Sequence, residues 1–367
     1  MDPLKVGVIG CGNISDVYLR NCGSSPYIKV LACADLIPER AAAKALAHGV
    51  SKTCSVDDLL ADQEIELILN LTIPRAHAEV SLAAIRSGKH VYTEKPLAIN
   101  RTSGRELLEE AKRFGVRIGS APDTFLGGGL QTCRQLLDSG AIGEPIGATA
   151  FMLCHGHETW HPSPEFYYKP GGGPLFDMGP YYLTALVSLL GPITRVTGSA
   201  KITFAQRVIT SQPLHGKIIE VETPTHIAGI LEFAAGPIAT LVTSFDVWAS
   251  TVPGIEIYGT EGTLILPDPN GFGGEPKLRR STEKEWRTIP PTFGFTHNAR
   301  GIGVVDMAAA IRSDRVHRAN GEMAYHVLEA MEGILEAAST GTHIPLASRC
   351  ARPEPLPPDL ETTGAWD

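Results

Sequence analysis

The chain has 367 residues, 43% hydrophobic and 20% charged, with 32 basic against 40 acidic side chains and a net charge of −8. That length fits two domains, each able to bury its own core without a disulfide or metal staple. The acidic balance argues against a nucleic-acid binder and against docking on anionic membranes, and no run approaches the roughly 18 uninterrupted apolar residues of a membrane helix.

Lys5–Ile9 predicts a strand running into Gly10-Cys11-Gly12-Asn13-Ile14-Ser15, with a helix following through Arg20. Ile28–Ala34 predicts a second strand, closed by Asp35, and Pro38 opens a helix to about His48. Strands at Leu67–Leu71, His90–Thr93 and Val116–Ser120 alternate with helices at about Ala76–Ser87 and Thr102–Phe114. Strands alternating with helices imply βαβ units and a parallel sheet, and uninterrupted apolar runs fit strands covered on both faces. Beyond about residue 125 the pattern changes. A helix at Gln131–Ser139 and a strand at Ile146–Cys154 lead into a polar, aromatic loop, then Gly171-Gly172-Gly173-Pro174 opens a helix, about Phe176–Leu190. Thr194–Phe204 puts Val196, Gly198, Ala200, Ile202 and Phe204 on one face, and Thr225–Phe233, Ile238–Val247, Ile255–Tyr258 and Thr263–Leu266 continue an antiparallel sheet. Helices at about Gly303–Arg312 and Gly321–Ala338 precede an extended Pro-rich tail, Arg352–Pro358. No secretory signal precedes the first strand, and seven scattered cysteines without a Cys-x-x-Cys pair fit reduced thiols, so a cytoplasmic protein is expected.

Gly10-x-Gly12-x-x-Ser15 follows a strand and opens a helix, the context in which a glycine turn cradles a dinucleotide pyrophosphate at a helix N-terminus. Ser15 stands where a third glycine is usual. Asp35 ends the next strand, 23 residues after Gly12, about where a carboxylate takes the adenosine ribose hydroxyls. Asp35 would repel a 2′-phosphate, so NAD is favoured over NADP, with Arg40 the one nearby cation that opposes this. Glu94-Lys95-Pro96 follows the fourth strand, at the strand ends where such sheets bind ligands.

The ordered set Gly10-x-Gly12, Asp35, Thr72-Ile73-Pro74-x-x-His77, Glu94-Lys95-Pro96 and Gly171-Gly172-Gly173-Pro174-Leu175-Phe176-Asp177-Met178-Gly179 resembles the glucose–fructose oxidoreductase / inositol dehydrogenase / rhizopine catabolism family (Gfo/Idh/MocA). The resemblance runs from about Leu4 to Pro345. It implies an α/β protein: an N-terminal Rossmann doubly wound parallel sheet, then a C-terminal α/β domain with a large open, mostly antiparallel sheet that commonly forms a homodimer or homotetramer interface. The expected divisions are 1–125, 126–350 and a tail 351–367. It further implies NAD-dependent oxidation or reduction of a secondary alcohol on a sugar, cyclitol or glycoside. On that resemblance Lys95 would hold the substrate hydroxyl and share in proton transfer, and Asp177 would bind substrate. The family often has His four residues after that Asp; here Tyr181 stands there, as in its glucose–fructose oxidoreductase and dihydrodiol dehydrogenase branches. Asp177 and Tyr181 share one helix face. The proton carrier is then Tyr181, Lys95 or a relay through both. The cofactor set becomes Gly10, Gly12, Asn13, Ile14, Asp35, Thr72, His77, Glu94, Lys95 and Pro122.

In Cys154-His155-Gly156-His157-Glu158-Thr159-Trp160-His161-Pro162, alternation along an extended chain places His155 and His157 on one face. Hydride transfer needs no metal, so none is expected; a substrate loop, with His157 and His161 holding hydroxyls and Trp160 stacking on a ring, is favoured. Asp123 sits at another strand end and either binds substrate or caps a turn. His297-Asn298-x-Arg300 either reaches the cleft or caps the following helix. No phosphate-binding basic cluster appears in the loop, which favours a neutral carbohydrate-like substrate. Rival readings are a glycosidase, epimerase or sugar–sugar oxidoreductase that recycles tightly bound NAD, a dihydrodiol or dicarbonyl reductase, and a non-catalytic NAD-binding regulator.

Overall fold

The computed structural model describes residues 2–366, so Met1 and Asp367, the outermost residues of the first and last expected divisions, lie outside it. The first sheet takes β1 (Leu4–Ile9), β2 (Ile28–Ala34), β3 (Lys52–Thr53), β4 (Leu67–Asn70), β5 (His90–Thr93) and β6 (Ile118–Ser120) in the order β3-β2-β1-β4-β5-β6. Every pairing in it is parallel. This is the doubly wound order, whose direction reverses beside β1, where such sheets open a ligand crevice. All four residues of β4 and nearly all of β1 are buried, as two helix-covered faces require. The crossover helices are α1 (Ser15–Gly23), α2 (Pro38–His48), α3 (Val56–Ala61), α4 (Pro74–Arg86) and α5 (Arg101–Phe114). Their ends follow local chemistry. Pro38 and Pro74 occupy first helical positions, where a missing N–H costs nothing. The Asn100 side chain accepts the Ser103 N–H at 2.8 Å to cap α5.

A short 3₁₀ turn, Thr124–Leu126, and α6 (Gly128–Asp138) lead to β7 (Pro145–Leu153). A second 3₁₀ turn, Pro164–Tyr168, interrupts the aromatic loop before α7 (Gly173–Leu190). Then come β8 (Ile193–Lys201), the hairpin β9 (Gln206–Val208) and β10 (Ile218–Glu220), β11 (His226–Phe233), β12 (Ile238–Ser244), β13 (Ile255–Gly259), β14 (Gly262–Ile265), β15 (Lys277–Arg280) and β16 (Arg287–Thr288). Helices α8 (Ile302–Ser313) and α9 (Gly321–Thr340), β17 (Ile344–Pro345) and α10 (Leu360–Thr363) finish the chain. The second sheet has nine strands in the order β16-β15-β14-β13-β7-β12-β11-β8-β17, and among its pairings β12–β7 is parallel and the others antiparallel.

One face of this sheet lies under α7 and α9. Ala148, Ala150, Leu241, Ile227, Leu231 and Val196 point into it and are buried, while Ile230 and Thr240 on the opposite face are exposed. Val196, Gly198 and Ala200 share the inner register, but β8 ends at Lys201. Ile202 and Phe204, expected on the same face, lie past the strand and are exposed. The first sheet is tied to the segment before α9, the helix that packs on the second sheet: Ser120 donates its N–H to the Ala319 carbonyl at 3.1 Å, beside a bridge between Gly119 and Asn320. The Pro-rich tail is extended through its prolines and lies back over the molecule, with the Leu356 N–H donated to Gln131 and the Tyr27 hydroxyl donated to the Gly364 carbonyl, each at 2.8 Å. No helix among the described residues is long and apolar enough to cross a membrane.

Candidate active site

Gly10 leaves β1 with φ +96°, and a Cβ there would stand 2.6 Å from the Leu71 carbonyl carbon, so the turn needs glycine for its own packing. Gly12 is different. A Cβ there would meet no protein atom within 4 Å. The space beside it opens at the N-terminus of α1, with Asn13 and Ile14 exposed at its edge. The Ser15 hydroxyl donates to the Gly12 carbonyl at 2.7 Å, closing the turn that a third glycine closes elsewhere. The Asp35 carboxylate accepts the N–H groups of Cys11 at 2.7 Å and Ile37 at 2.8 Å. The acid at the end of β2 is thereby held against the glycine turn, and these groups suit a dinucleotide: free N–H donors and open space for pyrophosphate, and a carboxylate for ribose hydroxyls.

The ends of β4 and β5 carry the next groups. His77, fully buried, bridges the carbonyls of Pro96 (2.7 Å) and Thr72 (3.0 Å), so it positions both loops. Glu94 accepts the Tyr18 hydroxyl at 2.7 Å and the Lys95 N–H at 2.9 Å. The Lys95 ammonium donates to the Asp177 carbonyl at 2.7 Å and to its Oδ1 at 2.9 Å. The other carboxylate oxygen, Oδ2, is 3.1 Å from His157 Nε2. A carboxylate only accepts, so that nitrogen carries a proton. Burial opposes ionisation of Asp177, but Lys95 and His157 outweigh it and hold the carboxyl well below the usual range. Burial likewise opposes the Lys95 charge, and Asp177 more than restores it. Asp177 thereby favours the charged, ammonium form of Lys95. One turn along α7, Tyr181 offers its ring to Lys95, with Nζ 5.2 Å from the centroid. Burial raises the phenol, while Lys95 and Arg300 pull it back.

The loop between β7 and α7 departs from simple alternation. Gly156 takes φ +76°, which turns the chain, so His155 and His157 do not share a face. His155 stacks on Trp248, ring centroids 3.3 Å apart, while His157 reaches Asp177. His161 takes the Ser163 N–H on Nδ1 at 3.0 Å and packs edge-on against Trp160, Phe166 and Tyr167, behind the wall that these rings present. Beneath the loop lies a buried ionic cluster that the residue pattern did not reveal. Arg207 donates to Glu158 Oε1 at 2.7 Å and to the Phe245 carbonyl at 2.9 Å, pairs with Asp246, and faces the Tyr168 ring; the Tyr168 hydroxyl donates to Glu158.

These parts border one cleft of about 580 Å³, running from Ile14, Thr72 and His77 past Glu94, Lys95, Asp177 and Tyr181 to His157, Trp160, Phe166 and Tyr167. Asn270 and Arg300 close its other side. Of the two roles open to the His297-Asn298-x-Arg300 segment, Arg300 takes the first and reaches the cleft. Pro122, Asp123 and His161 do not line it, and Gly10, Gly12 and Asn13, with Asp35 held against them, lie at the glycine turn beyond its edge. Pro122 packs in the interior among Pro96, Leu97, Pro180 and Met331. Asp123 is buried and accepts the N–H groups of Gly301 (2.8 Å) and Gly303 (3.0 Å), capping α8. Both follow β6, whose end is roofed by α8 instead of opening to the crevice.

Two family models match the chain: "Oxidoreductase family, NAD-binding Rossmann fold" over residues 4–121 and "GFO/IDH/MocA C-terminal domain" over residues 130–265. Among curated proteins, a 1,5-anhydro-D-fructose reductase of Ensifer adhaerens is 28% identical over 267 residues, 71% of this chain and 74% of its own. An inositol 2-dehydrogenase of Salmonella typhimurium is 30% identical over 170 residues, 44% of this chain and 48% of its own. Among solved structures, an NAD binding oxidoreductase from Klebsiella pneumoniae superposes with a TM-score of 0.81 at 25% identity, covering 95% of this chain and 100% of that one. A levoglucosan dehydrogenase in complex with NADH and L-sorbose has the same score and coverage at 20% identity, which speaks to the fold alone.

Proposed function

The chain belongs to the GFO/IDH/MocA family of NAD-binding oxidoreductases, and from that premise we propose that it moves a hydride between NAD and a secondary alcohol or ketone of a neutral sugar, cyclitol or glycoside. The observation that carries this reading is the Lys95–Asp177–His157 chain of hydrogen bonds, set with Tyr181 in one cleft that reaches the edge of the glycine turn. Relatives named for sugar and inositol chemistry support the substrate class. The carboxylate of Asp35 at the ribose end supports NAD over NADP.

Bound NAD would lie along Gly10, Gly12 and Asp35 and supply the hydride acceptor. Everything else belongs to the chain. Lys95 is held as an ammonium by two bonds to Asp177, and its remaining N–H can hold the substrate oxygen. Tyr181 takes the hydroxyl proton during oxidation and returns it during reduction. Trp160 and Phe166, both exposed at the cleft mouth, offer flat apolar faces to the C–H side of a sugar ring. The test is the near-ultraviolet absorbance of reduced nicotinamide with free sugars, cyclitols and glycosides, NAD and NADP in parallel. We expect turnover with NAD and one substrate group, and Lys95→Met to lower kcat by about 10²–10⁴ with NADH binding retained. Undiminished turnover in K95M would remove Lys95 from the chemistry; silence across the panel would overturn the dehydrogenase reading.

A further inference from the structure

Lys95 stands beside two acidic side chains, and its ammonium is bonded to one of them. Asp177 takes it through its carbonyl and its Oδ1, at 2.7 and 2.9 Å. Glu94 precedes Lys95 in the chain, is 9% exposed and lines the same cleft, yet it meets Lys95 through the backbone N–H, on Oε2 at 2.9 Å. Its other oxygen, Oε1, accepts the Tyr18 hydroxyl at 2.7 Å. Tyr18 belongs to α1 and is wholly buried, with its ring beneath Gly301, where a Cβ would stand 3.4 Å from the ring's Cδ1. Almost one turn further along α1, the Asn21 amide donates to the carbonyls of Asn298 at 2.9 Å and Arg300 at 2.8 Å. The helix is thus fastened to the loop before α8 on the side that presents the phenol, so the hydroxyl keeps its place. Burial above all, and then the charge of Glu94, hold its proton on far above the usual range.

We propose, resting on the oxidoreductase reading above, that Tyr18 is a positioning residue for Lys95: its hydroxyl holds the Glu94 carboxylate away from the ammonium, which therefore stays on Asp177 with one N–H left for the cleft. Tyr18 does not line the cleft and acts through Glu94 alone. A carboxylate can accept about four hydrogen bonds, and among the described residues Glu94 has two donors, the phenol and the Lys95 N–H. With the phenol gone it keeps one. The strongest donor within its reach is then the ammonium of the next residue, since a charge-assisted bond is about twice as strong as a neutral one. Burial works against the Lys95 charge, and the pull of Asp177 on it exceeds that of Glu94 in the present arrangement. A swing of Glu94 reverses that order and draws the ammonium off the carboxylate that aims it. In Tyr18→Phe the ring is kept and the bond alone is lost, so the variant isolates this one contact.

The experiment follows the Lys95 ammonium by nitrogen-15 NMR in the full-length protein labelled at the lysine ζ nitrogens, with the signal assigned by its absence in K95M. Y18F should shift the signal and make its protons exchange with water about tenfold faster. Glu94→Gln, which discharges the competitor, should leave that exchange unchanged, and Y18F/E94Q should behave like E94Q. The rescue separates positioning from packing, because a phenol that only filled space would be missed equally in both backgrounds. An unmoved Lys95 signal in Y18F, or a change that persists undiminished in Y18F/E94Q, would overturn the proposal. Faster exchange in E94Q alone would show that Glu94 already engages the ammonium, and would overturn it whether or not Y18F folds. With any substrate found in the panel, Y18F should lower kcat about tenfold in the native background and not in E94Q, while KM stays nearly constant. An equal loss of kcat in both backgrounds would sink it as well. The NMR comparison needs no substrate, so a silent panel defeats the dehydrogenase reading and leaves the Tyr18–Glu94 comparison to be decided by itself.

Discussion

His157 reaches Asp177 from the aromatic loop, an element other than the β5 end that carries Lys95. Its Nε2–H holds Asp177 Oδ2 while Lys95 holds Oδ1, so the carboxylate is clamped from two sides. His157→Phe should leave Oδ2 buried without a donor, which costs about 1–3 kcal/mol in a closed site, whereas His157→Gln can still present an N–H. We therefore expect kcat/KM to fall at least about tenfold further in H157F than in H157Q, with both folded by circular dichroism; equal loss in the two would mean that the clamp is not what His157 contributes. Lys95, Asp177 and Tyr181 were readable from the residues because each sits in a compact pattern whose spacing survives folding. The pairing of His155 with His157 was misread for one backbone angle, the positive φ of Gly156, which breaks the two-residue alternation. Arg300 was legible only as one of two alternatives for its segment, and Asn270 carried almost no local signal. Asn270 lies in Asp268-Pro269-Asn270-Gly271, which reads as an ordinary turn, and only the packing of that turn against the loop before α8 brings the two into the cleft.

The aromatic loop owes its place to an element that is nearly invisible in the residue pattern. The β9–β10 hairpin is short and mostly exposed, so it shows neither an apolar run nor a clear alternation, and it was not anticipated. Each of its strands buries one side chain, Arg207 and Ile219, and Arg207 sits between Glu158 on the loop and Asp246 after β12. Thr225 donates its hydroxyl to the far oxygen of Asp246 at 2.8 Å. By contrast β1, β2 and β4 were legible because helices cover both their faces, and the strongest strands of the second sheet were legible from one buried and one open face. Replacing Arg207 by Met would leave two buried carboxylates facing each other without a cation. Removing one partner of a buried ion pair typically costs about 3–5 kcal/mol. We expect R207M to unfold at clearly lower temperature, and to gain sensitivity to proteolysis between residues 155 and 170 first. A companion R207M/E158Q/D246N, which discharges the cluster, should recover most of the lost stability. If R207M melts like wild type, the cluster does not hold the loop.

Across the whole molecule, three buried or half-buried histidines work as neutral connectors between segments distant in sequence. His326 on α9 accepts the Ile193 N–H on Nε2 at 2.9 Å, while its Nδ1 meets the Ser348 hydroxyl at 2.7 Å. His90 at the start of β5 accepts the Arg117 N–H on Nδ1 at 2.9 Å. His317 lies 3.1 Å from the Ile118 carbonyl, joining the segment before α9 to β6. In the first two, the lone pair that would take a proton is already occupied by a backbone N–H, so protonation must break the contact. Burial is the main reason that all three have pKa values pushed down to about 4. The sign follows from linkage. An unfolded histidine takes its proton near pH 6.5, the folded one only near 4, so the unfolded chain binds more protons between these values. Their stabilisation is complete above about pH 6.5 and drains away as the pH falls towards 4, by about 2–3 kcal/mol for each fully effective site. Urea unfolding at pH 7.5 and at pH 4.5 should show that loss. In His326→Gln the amide oxygen can still accept from Ile193 but cannot titrate, so its stability should fall less over the same interval, by about 2 kcal/mol. A variant that loses as much as the wild type between the two pH values would show that α9 is not held to β8 through a neutral ring, and would return the acid sensitivity to the carboxylates.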